Sequence, residues 1–305
     1  MSGARTLRIA AAQFPVFRPH DWAEIETTLD AWVNEAAQQG AQLLVFPEYG
    51  ALSIAGLTTA NKAPPLREEL LSLQPHHARW MALHAELAAK YGVHLLASSF
   101  PLQLGTREQA IFRNRAHLFA PNGKCGWQDK WTMTRFETEL WGVSAGDVLK
   151  VFDTALGCIG INICYDVEFP LLARAQVEAG ASLILAPSCT DTRAGYWRVR
   201  IGAQARALEN QCVVVQAPLV GTVDWSAAVD INVGAAGIYT PPDRGLPDNG
   251  VIAEGAWCEP QWLIADIAAA SLAAVRTNGQ VLNHRDWACQ PGLGVAPTVV
   301  IEDLR

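Results

Sequence analysis

Residues Gly157–Ser188 read GCIGINICYDVEFPLLARAQVEAGASLILAPS, and this run decides the fold. Gly157–Ile163 is a short apolar stretch of strand character. Phe169–Ala179 has the character of a helix, with Pro170 in the first turn, where a missing N–H is tolerated, and Gly180 stops it. Ser182–Ala186 is a second apolar strand. Strand, helix and strand in so few residues make a βαβ unit, whose strands lie parallel beneath the crossover helix. Toward the C-terminus, a helix across about Tyr196–Asn210 leads to another strand, Cys212–Gln216. Toward the N-terminus the same grammar recurs. Leu7–Gln13 is a strand, and Asp21–Gln39 is a helix with Trp22, Ile25, Leu29, Trp32 and Ala36 on one face. Gln42–Phe46, a helix over about His76–Tyr91 closed by Gly92, and Val93–Ser98 follow. EAAQQGAQLLVFPE, ending at Glu48, and QVEAGASLILAPS, ending at Ser188, share one pattern: glycine after a helix, an apolar strand, proline and a polar residue. The chain therefore reads as α/β, built from two similar βαβαβ halves.

The length of 305 residues, half of them hydrophobic, allows a large core. A net charge of −7 with no Lys/Arg-rich block argues against nucleic acid as a partner. The start, MSGARTLRIAAAQF, lacks the architecture of a secretory signal, and no apolar run approaches the roughly 18–20 residues that span a bilayer. A soluble, cytoplasmic protein is expected. No stretch has linker composition, so residues 1–305 are expected to form one domain. Gly221–Gly255, with PPDRGLPDNG inside it, reads as loop-rich, and the tail from Trp287 ends in a strand-like run, Pro297–Ile301.

Seven cysteines occur, at 125, 158, 164, 189, 212, 258 and 289, an odd number with no CxxC pair. A zinc ribbon or a dithiol redox motif is thereby disfavoured, and buried thiols are the ordinary reading. Cys164 stands apart because it sits where a strand gives way to a helix, at the carboxyl edge of the sheet. A helix N-terminus there favours a thiolate and a developing oxyanion. Cys189 also follows a strand but leads into a loop, whereas Cys158 and Cys212 lie inside apolar runs and read as core.

Two other motifs compete. Gly142–Gly146 (GVSAG) matches the nucleophile elbow that would make Ser144 a serine-hydrolase nucleophile. The elbow needs a strand before it and a helix after it, and RFETELW and GDVLKVFDTALG supply neither. His84 and Glu86 resemble half of a zinc-deaminase signature, but the P-C-x-x-C half is absent and a solvated helix face is the better reading. The remaining metal and nucleotide motifs are missing, so neither a metal nor a cofactor is expected.

Three blocks together change the weight of these residues: LVFPEYG with Glu48, DKWTMTRF with Lys130, and GINICYDVEFP with Cys164. In order and spacing they resemble the nitrilase superfamily of carbon–nitrogen hydrolases, and the likeness continues through PSCTDT and ARALENQCVVVQ over most of the chain. The resemblance implies Glu48 as general base, Lys130 as the cation near the oxyanion and Cys164 as nucleophile. It implies a second glutamate ahead of a GD turn; ELWGVSAGD puts Glu139 in that slot, with Glu137 as the nearby rival. It implies an αββα sandwich, four layers deep, that pairs as a homodimer or larger homo-oligomer, with the tail from about 287 in the dimer contacts. Where many relatives have His-Trp, this chain has Tyr196-Trp197, so any role of that histidine is lost.

The chemistry is sensible on its own terms. An amide is a poor electrophile, so its cleavage needs a thiolate, a proton for the leaving amine and donors for the oxyanion. A glutamate whose pKa is raised by burial can move the proton both ways. CYD resembles the amidase and carbamoylase branches, where true nitrilases usually carry CWE; amide or N-carbamoyl cleavage is expected, with nitrile hydrolysis the alternative. Relatives that grip a substrate carboxylate often place arginine after CYD, whereas this chain has Val167-Glu168. A small, neutral or amine-bearing substrate is therefore expected. Tyr165, Glu168 and Ser188 are candidates to touch it. Trp131, Trp141, Trp197 and Trp225 fall near the site, where they could line an apolar pocket or pack a subunit interface.

Overall fold

The structure, a computed structural model, describes residues 6–58, 63–106, 110–290, 293 and 302. The strand-like run predicted at Pro297–Ile301 lies outside the described residues.

The first half opens with strand β1 (Thr6–Pro15), helix α1 (Trp22–Gln38) and strand β2 (Leu43–Val45). Helix α2 (Leu66–Leu73), helix α3 (His77–Tyr91) and strands β3 (His94–Leu96), β4 (Phe100–Leu104), β5 (Ile111–Phe119) and β6 (Cys125–Asp129) follow. Asp21 caps α1 by accepting from Glu24 N at 2.9 Å. β1, β2 and β3 run parallel, and β5, β4 and β6 extend that sheet with antiparallel pairings. The second half carries β7 (Val151–Thr154), β8 (Gly157–Ile161), α4 (Pro170–Glu178), β9 (Leu183–Ser188), α5 (Arg193–Asn210) and β10 (Val213–Thr222), with β8, β9 and β10 parallel. Its sheet is completed by β11 (Ile231–Asn232), β12 (Gly237–Tyr239) and β13 (Val251–Glu254). β14 (Gln261–Ala268) returns to pair antiparallel with β1, and α6 (Ala269–Asn278) follows it.

Side-chain alternation along the strands produces the four layers. Ile9, Ala11, Leu43, Val45 and Leu96 point from the first sheet into one core shared with Ile159, Ile161, Leu183, Leu185 and Val215 of the second. The alternate residues Ala10, Ala12, Leu44 and Leu95 point the other way, onto Ile25, Leu29 and Val33 of α1 and Trp80 and Leu87 of α3. On the far side Ala173 and Val177 of α4 and Val199, Ala203 and Ala207 of α5 cover the second sheet. The result is the αββα sandwich. The sheets meet where the end of β1 leaves β2 and pairs with β10, Phe14 opposite Leu219.

Several local expectations shift. α5 begins at Arg193, because Thr192 Oγ1 caps it by accepting from Gly195 N at 3.1 Å. The segment Gly221–Gly255 is more than loop: it holds β11, β12 and β13, each too short to register as a periodic run. Cys125–Asp129, just ahead of Lys130, is the strand β6 despite its polar residues. Its buried Gln128 bonds to the backbone of Asp129, Val148 and Lys150, and its buried Asp129 is held by Arg115. His84 is not on a solvated face; it is buried against Trp80 and Phe119, and its Nδ1 meets Trp80 O at 2.8 Å. No helix among the described residues is long and apolar enough to cross a membrane.

Candidate active site

Glu48 lies three residues beyond the end of β2, and Lys130 is the residue after β6. Cys164 lies three residues beyond β8 and opens a 3₁₀ turn, Cys164–Glu168, that leads into α4. The carboxyl ends of strands from both halves thus converge on one spot, the usual place for sites in open α/β sheets. At this junction two non-glycine residues adopt left-handed backbone, Tyr49 at φ 59° and Cys164 at φ 50°. Such conformations cost energy and persist where surrounding contacts hold them.

Lys130 is the hub, and it and Glu48 are each only 1% exposed. Its Nζ donates to Glu48 Oε1 at 2.8 Å and to Glu137 at 2.9 and 2.7 Å. Asn114, from β5, donates to Glu48 Oε1 at 2.8 Å and to Glu137 Oε1 at 3.4 Å. Tyr49 OH donates to Glu137 Oε1 at 2.6 Å, and the backbone N–H and hydroxyl of Thr134 donate to Glu137 Oε2 at 2.8 and 2.9 Å. Glu137 is thus saturated with donors.

The structure brings Glu137, and not the expected Glu139, beside Lys130. Phe136–Trp141 forms one turn of π-helix, so residues two apart point to nearly opposite sides. Glu137 turns inward to Lys130. Glu139 is 53% exposed and forks onto Arg135 at 2.7 and 2.9 Å.

The electrostatics follow from one cation serving two carboxylates in a dry site. Burial pushes the Glu48 carboxyl up to about 7; Lys130 opposes that push and the negative charge of Glu137 adds to it. Glu137 is also buried, yet Lys130 and its other donors hold it below the usual carboxylate range. Burial works against the Lys130 ammonium, but Glu137 and Glu48 more than compensate and keep it charged. Burial and then the Glu48 charge raise the Cys164 thiol well above its ordinary value, so the resting group is a thiol. Its Sγ donates to Cys189 O at 3.6 Å.

Asp166 joins the two halves of the site. Its carboxylate accepts from the backbone N–H groups of Trp131 (3.1 Å), Thr132 (2.6 Å) and Ile163 (3.2 Å). It therefore ties the segment after Lys130 to the turn that carries Cys164. Burial raises this carboxyl to about 6, with Lys130 and the N–H donors opposing.

A pocket of about 580 Å³ opens over the cluster, lined by Glu48, Lys130, Glu137, Trp141, Tyr165 and Cys189 among others. Cys164, 4% exposed, is immediately followed in the chain by Tyr165 on that lining. Trp141 packs against Tyr49 with ring centroids 4.8 Å apart and the planes tilted by 52°, and its Nε1 donates to Leu66 O at 3.3 Å. Glu168 also lines the pocket, but it is not the unopposed charge expected from the sequence, since Arg198 lies 3.6 Å away. Ser188 is buried and off the lining. Trp197 is 44% exposed and lies against Arg200 instead. Trp131 and Trp225 do not line the pocket either. The GVSAG segment has no helix after it, and Ser144 is held by its own N–H to Phe112 O at 2.8 Å.

Tyr49, Asn114, Thr134 and Asp166 were not singled out from sequence. Asn114 carried a signal: in IFRNRAHLF it shares a strand face with Phe112, Ala116 and Leu118, so an amide points into the core. Asp166 lies within the quoted CYD block, but its bonds to Trp131 and Thr132 reach a segment more than thirty residues away.

The family model described as carbon-nitrogen hydrolase matches residues 8–277. A probable hydrolase, YhcX, of Bacillus subtilis is 32% identical over 92% of this chain and 53% of its own length. The omega-amidase NIT2-B of Xenopus laevis is 29% identical over 61% of this chain and 65% of its own. This chain thus spans between half and two thirds of these two curated relatives. A carbon–nitrogen hydrolase superfamily protein from Xanthomonas campestris has a similar fold, with TM-score 0.70 and 22% identity, covering 98% of this chain and all of that one.

Proposed function

We propose that this chain, which belongs to the carbon–nitrogen hydrolase family, cleaves a small linear amide or N-carbamoyl compound through a thioester on Cys164. One observation carries the reading: Lys130 is shared by two buried carboxylates beside a buried thiol. With Lys130 charged and Glu137 ionised, an ionised Glu48 leaves the cluster one charge negative in a dry site. Glu48 is therefore ready to take a proton at neutral pH.

The reaction then runs in two halves. Glu48 takes the proton from Cys164 Sγ as the sulfur attacks the carbonyl carbon, and the π pair moves to the oxygen. Lys130 Nζ and backbone N–H groups at the Cys164 turn offset that oxyanion. Collapse re-forms the carbonyl, breaks the C–N bond and sends the Glu48 proton to the leaving nitrogen. Water next attacks the thioester while Glu48 accepts its proton; the adduct collapses, the C–S bond breaks, and the departing thiolate takes that proton from Glu48 as the acid is released. Glu137 and Asn114 hold Lys130 and Glu48 in place and stay out of the bond changes. The omega-amidase relative supports an amide as the bond cleaved.

The test is to offer amides, N-carbamoyl compounds and nitriles and to follow ammonia release and a trapped acyl-enzyme by mass. Wild type should release ammonia from amides or carbamoyl compounds, and Cys164→Ala should not. Turnover of nitriles alone would move the assignment to nitrile hydrolysis, and loss of activity in Ser144→Ala but not in Cys164→Ala would sink the thiol mechanism.

A further inference from the structure

The pocket changes character from floor to mouth. At the floor the carboxylates of Glu48 and Glu137 are buried and share Lys130. Nearer the solvent the lining includes Arg135, Glu168, Asp191, Arg198 and Asp230. The two arginines are already answered: Arg135 forks onto Glu139, and Arg198 lies 3.6 Å from Glu168. Asp191 and Asp230 are exposed, and neither makes an ion pair among the described residues; Asp230 Oδ1 only accepts from the N–H of Ile231 at 2.9 Å.

These two carboxylates ride on one braced unit. Val233 N donates to Thr190 O at 2.8 Å, and Thr190 Oγ1 donates to Val233 O at 2.7 Å. Cys189 Sγ donates to Asn232 Oδ1 at 3.2 Å, and Asn232 Nδ2 donates back to Val229 O at 2.7 Å and Gly221 O at 3.2 Å. The loop bearing Asp191 and the turn bearing Asp230 are therefore cross-tied at neighbouring residues, and both line the same pocket. A volume of about 580 Å³ also exceeds what a bare carboxamide needs, leaving room for a chain that reaches the mouth.

We propose that Asp191 and Asp230 select a substrate with a protonated amine at the end opposite its scissile amide, with the amide at the Lys130 floor and the ammonium between the two carboxylates. The inference rests on the thiol-amidohydrolase reading of the floor. It replaces the reason the sequence offered for an amine-bearing substrate, since Glu168 is engaged by Arg198 while Asp191 and Asp230 are not. A carboxylate at the same end would meet two uncompensated like charges.

Three amides of equal length test it: γ-aminobutyramide, valeramide and glutaramate, ending in ammonium, methyl and carboxylate. Wild type should favour the ammonium amide over valeramide by about tenfold in kcat/KM, a moderate factor because both aspartates are solvated and screened. The double variant Asp191→Asn with Asp230→Asn should lose that tenfold through KM, with valeramide turnover unchanged. Both positions are exposed, and an unaltered melting temperature would show that folding is intact. A wild-type preference for valeramide or glutaramate, or an equal loss on ammonium and neutral amides, overturns the inference. Binding of the same amides to Cys164→Ala protein separates this idea from the reaction beneath it. An ammonium preference in binding without any turnover in wild type keeps the selection and removes the hydrolase; turnover without such a preference does the reverse.

Discussion

The floor and the mouth of the pocket hold the same kind of group under opposite conditions. At the mouth, Asp191 and Asp230 are exposed and make no ion pair among the described residues. At the floor, Glu48 and Glu137 are buried on either side of one lysine, and their carboxyls move in opposite directions. Glu137 takes most of the donors and falls below the usual range, while Glu48 rises to about 7. A third carboxyl completes the comparison. Glu69, on α2, is buried with no ion pair among the described residues, and burial carries it to about 7, with Ser226 opposing. Burial raises a carboxyl, a cation lowers it, and sharing one cation between two splits them. In the proposed reaction, that split is what equips Glu48 to move a proton.

Removing the lysine should break the comparison most severely. Lys130→Met leaves two carboxylates buried without a cation, so we expect a loss of about 3–5 kcal/mol of stability together with activity, read by denaturant melts and ammonia release. An unchanged melt would mean that the cluster contributes far less than its burial implies.

The neighbouring glutamates come next. Glu137→Gln should lower kcat about 10²-fold by letting Lys130 and Glu48 drift, whereas Glu139→Gln should change kcat by less than twofold, since it loses only an exposed pair with Arg135. Equal losses in both would restore Glu139 as a candidate.

The pH profile sharpens the same contrast. Glu48 must be ionised to accept the thiol proton, so kcat/KM should climb with pH through an inflection near 7 and then level off. Glu137→Gln removes the like charge that helps raise Glu48, so its inflection should fall below that of wild type. A profile flat from pH 5 to 8 would rule out Glu48 as the base.

Glu69 gives the smallest effect. Its carboxyl binds a proton more tightly in the folded chain, at about 7, than at the ordinary value of 4.5. The stabilisation from this group is complete below the lower value and is lost as pH rises through the upper one. Across that window the wild-type stability should therefore decline more steeply than that of Glu69→Gln, by at most about 1.4 kcal/mol per pH unit. Parallel stability curves would show that Glu69 finds a partner in the folded chain.

Much of this was legible in one dimension. The apolar strands, the glycine stops and Pro170 determined the two βαβαβ halves, because backbone preference and burial period act locally. The blocks around Glu48, Lys130 and Cys164 marked three residues at sheet edges, and the structure brings Lys130 to 2.8 Å from Glu48 beside the Cys164 turn. Only the tertiary structure decided which second glutamate meets Lys130, because a single π turn sends Glu137 inward and Glu139 out, and residue spacing alone does not say which way a turn faces. It also decided that Asn114 and Asp166 brace the site, that Arg198 answers Glu168, and that Asp191 and Asp230 make no ion pair among the described residues. Each of those facts depends on which distant segments touch, and a charge in a sequence has no partner until the fold supplies one.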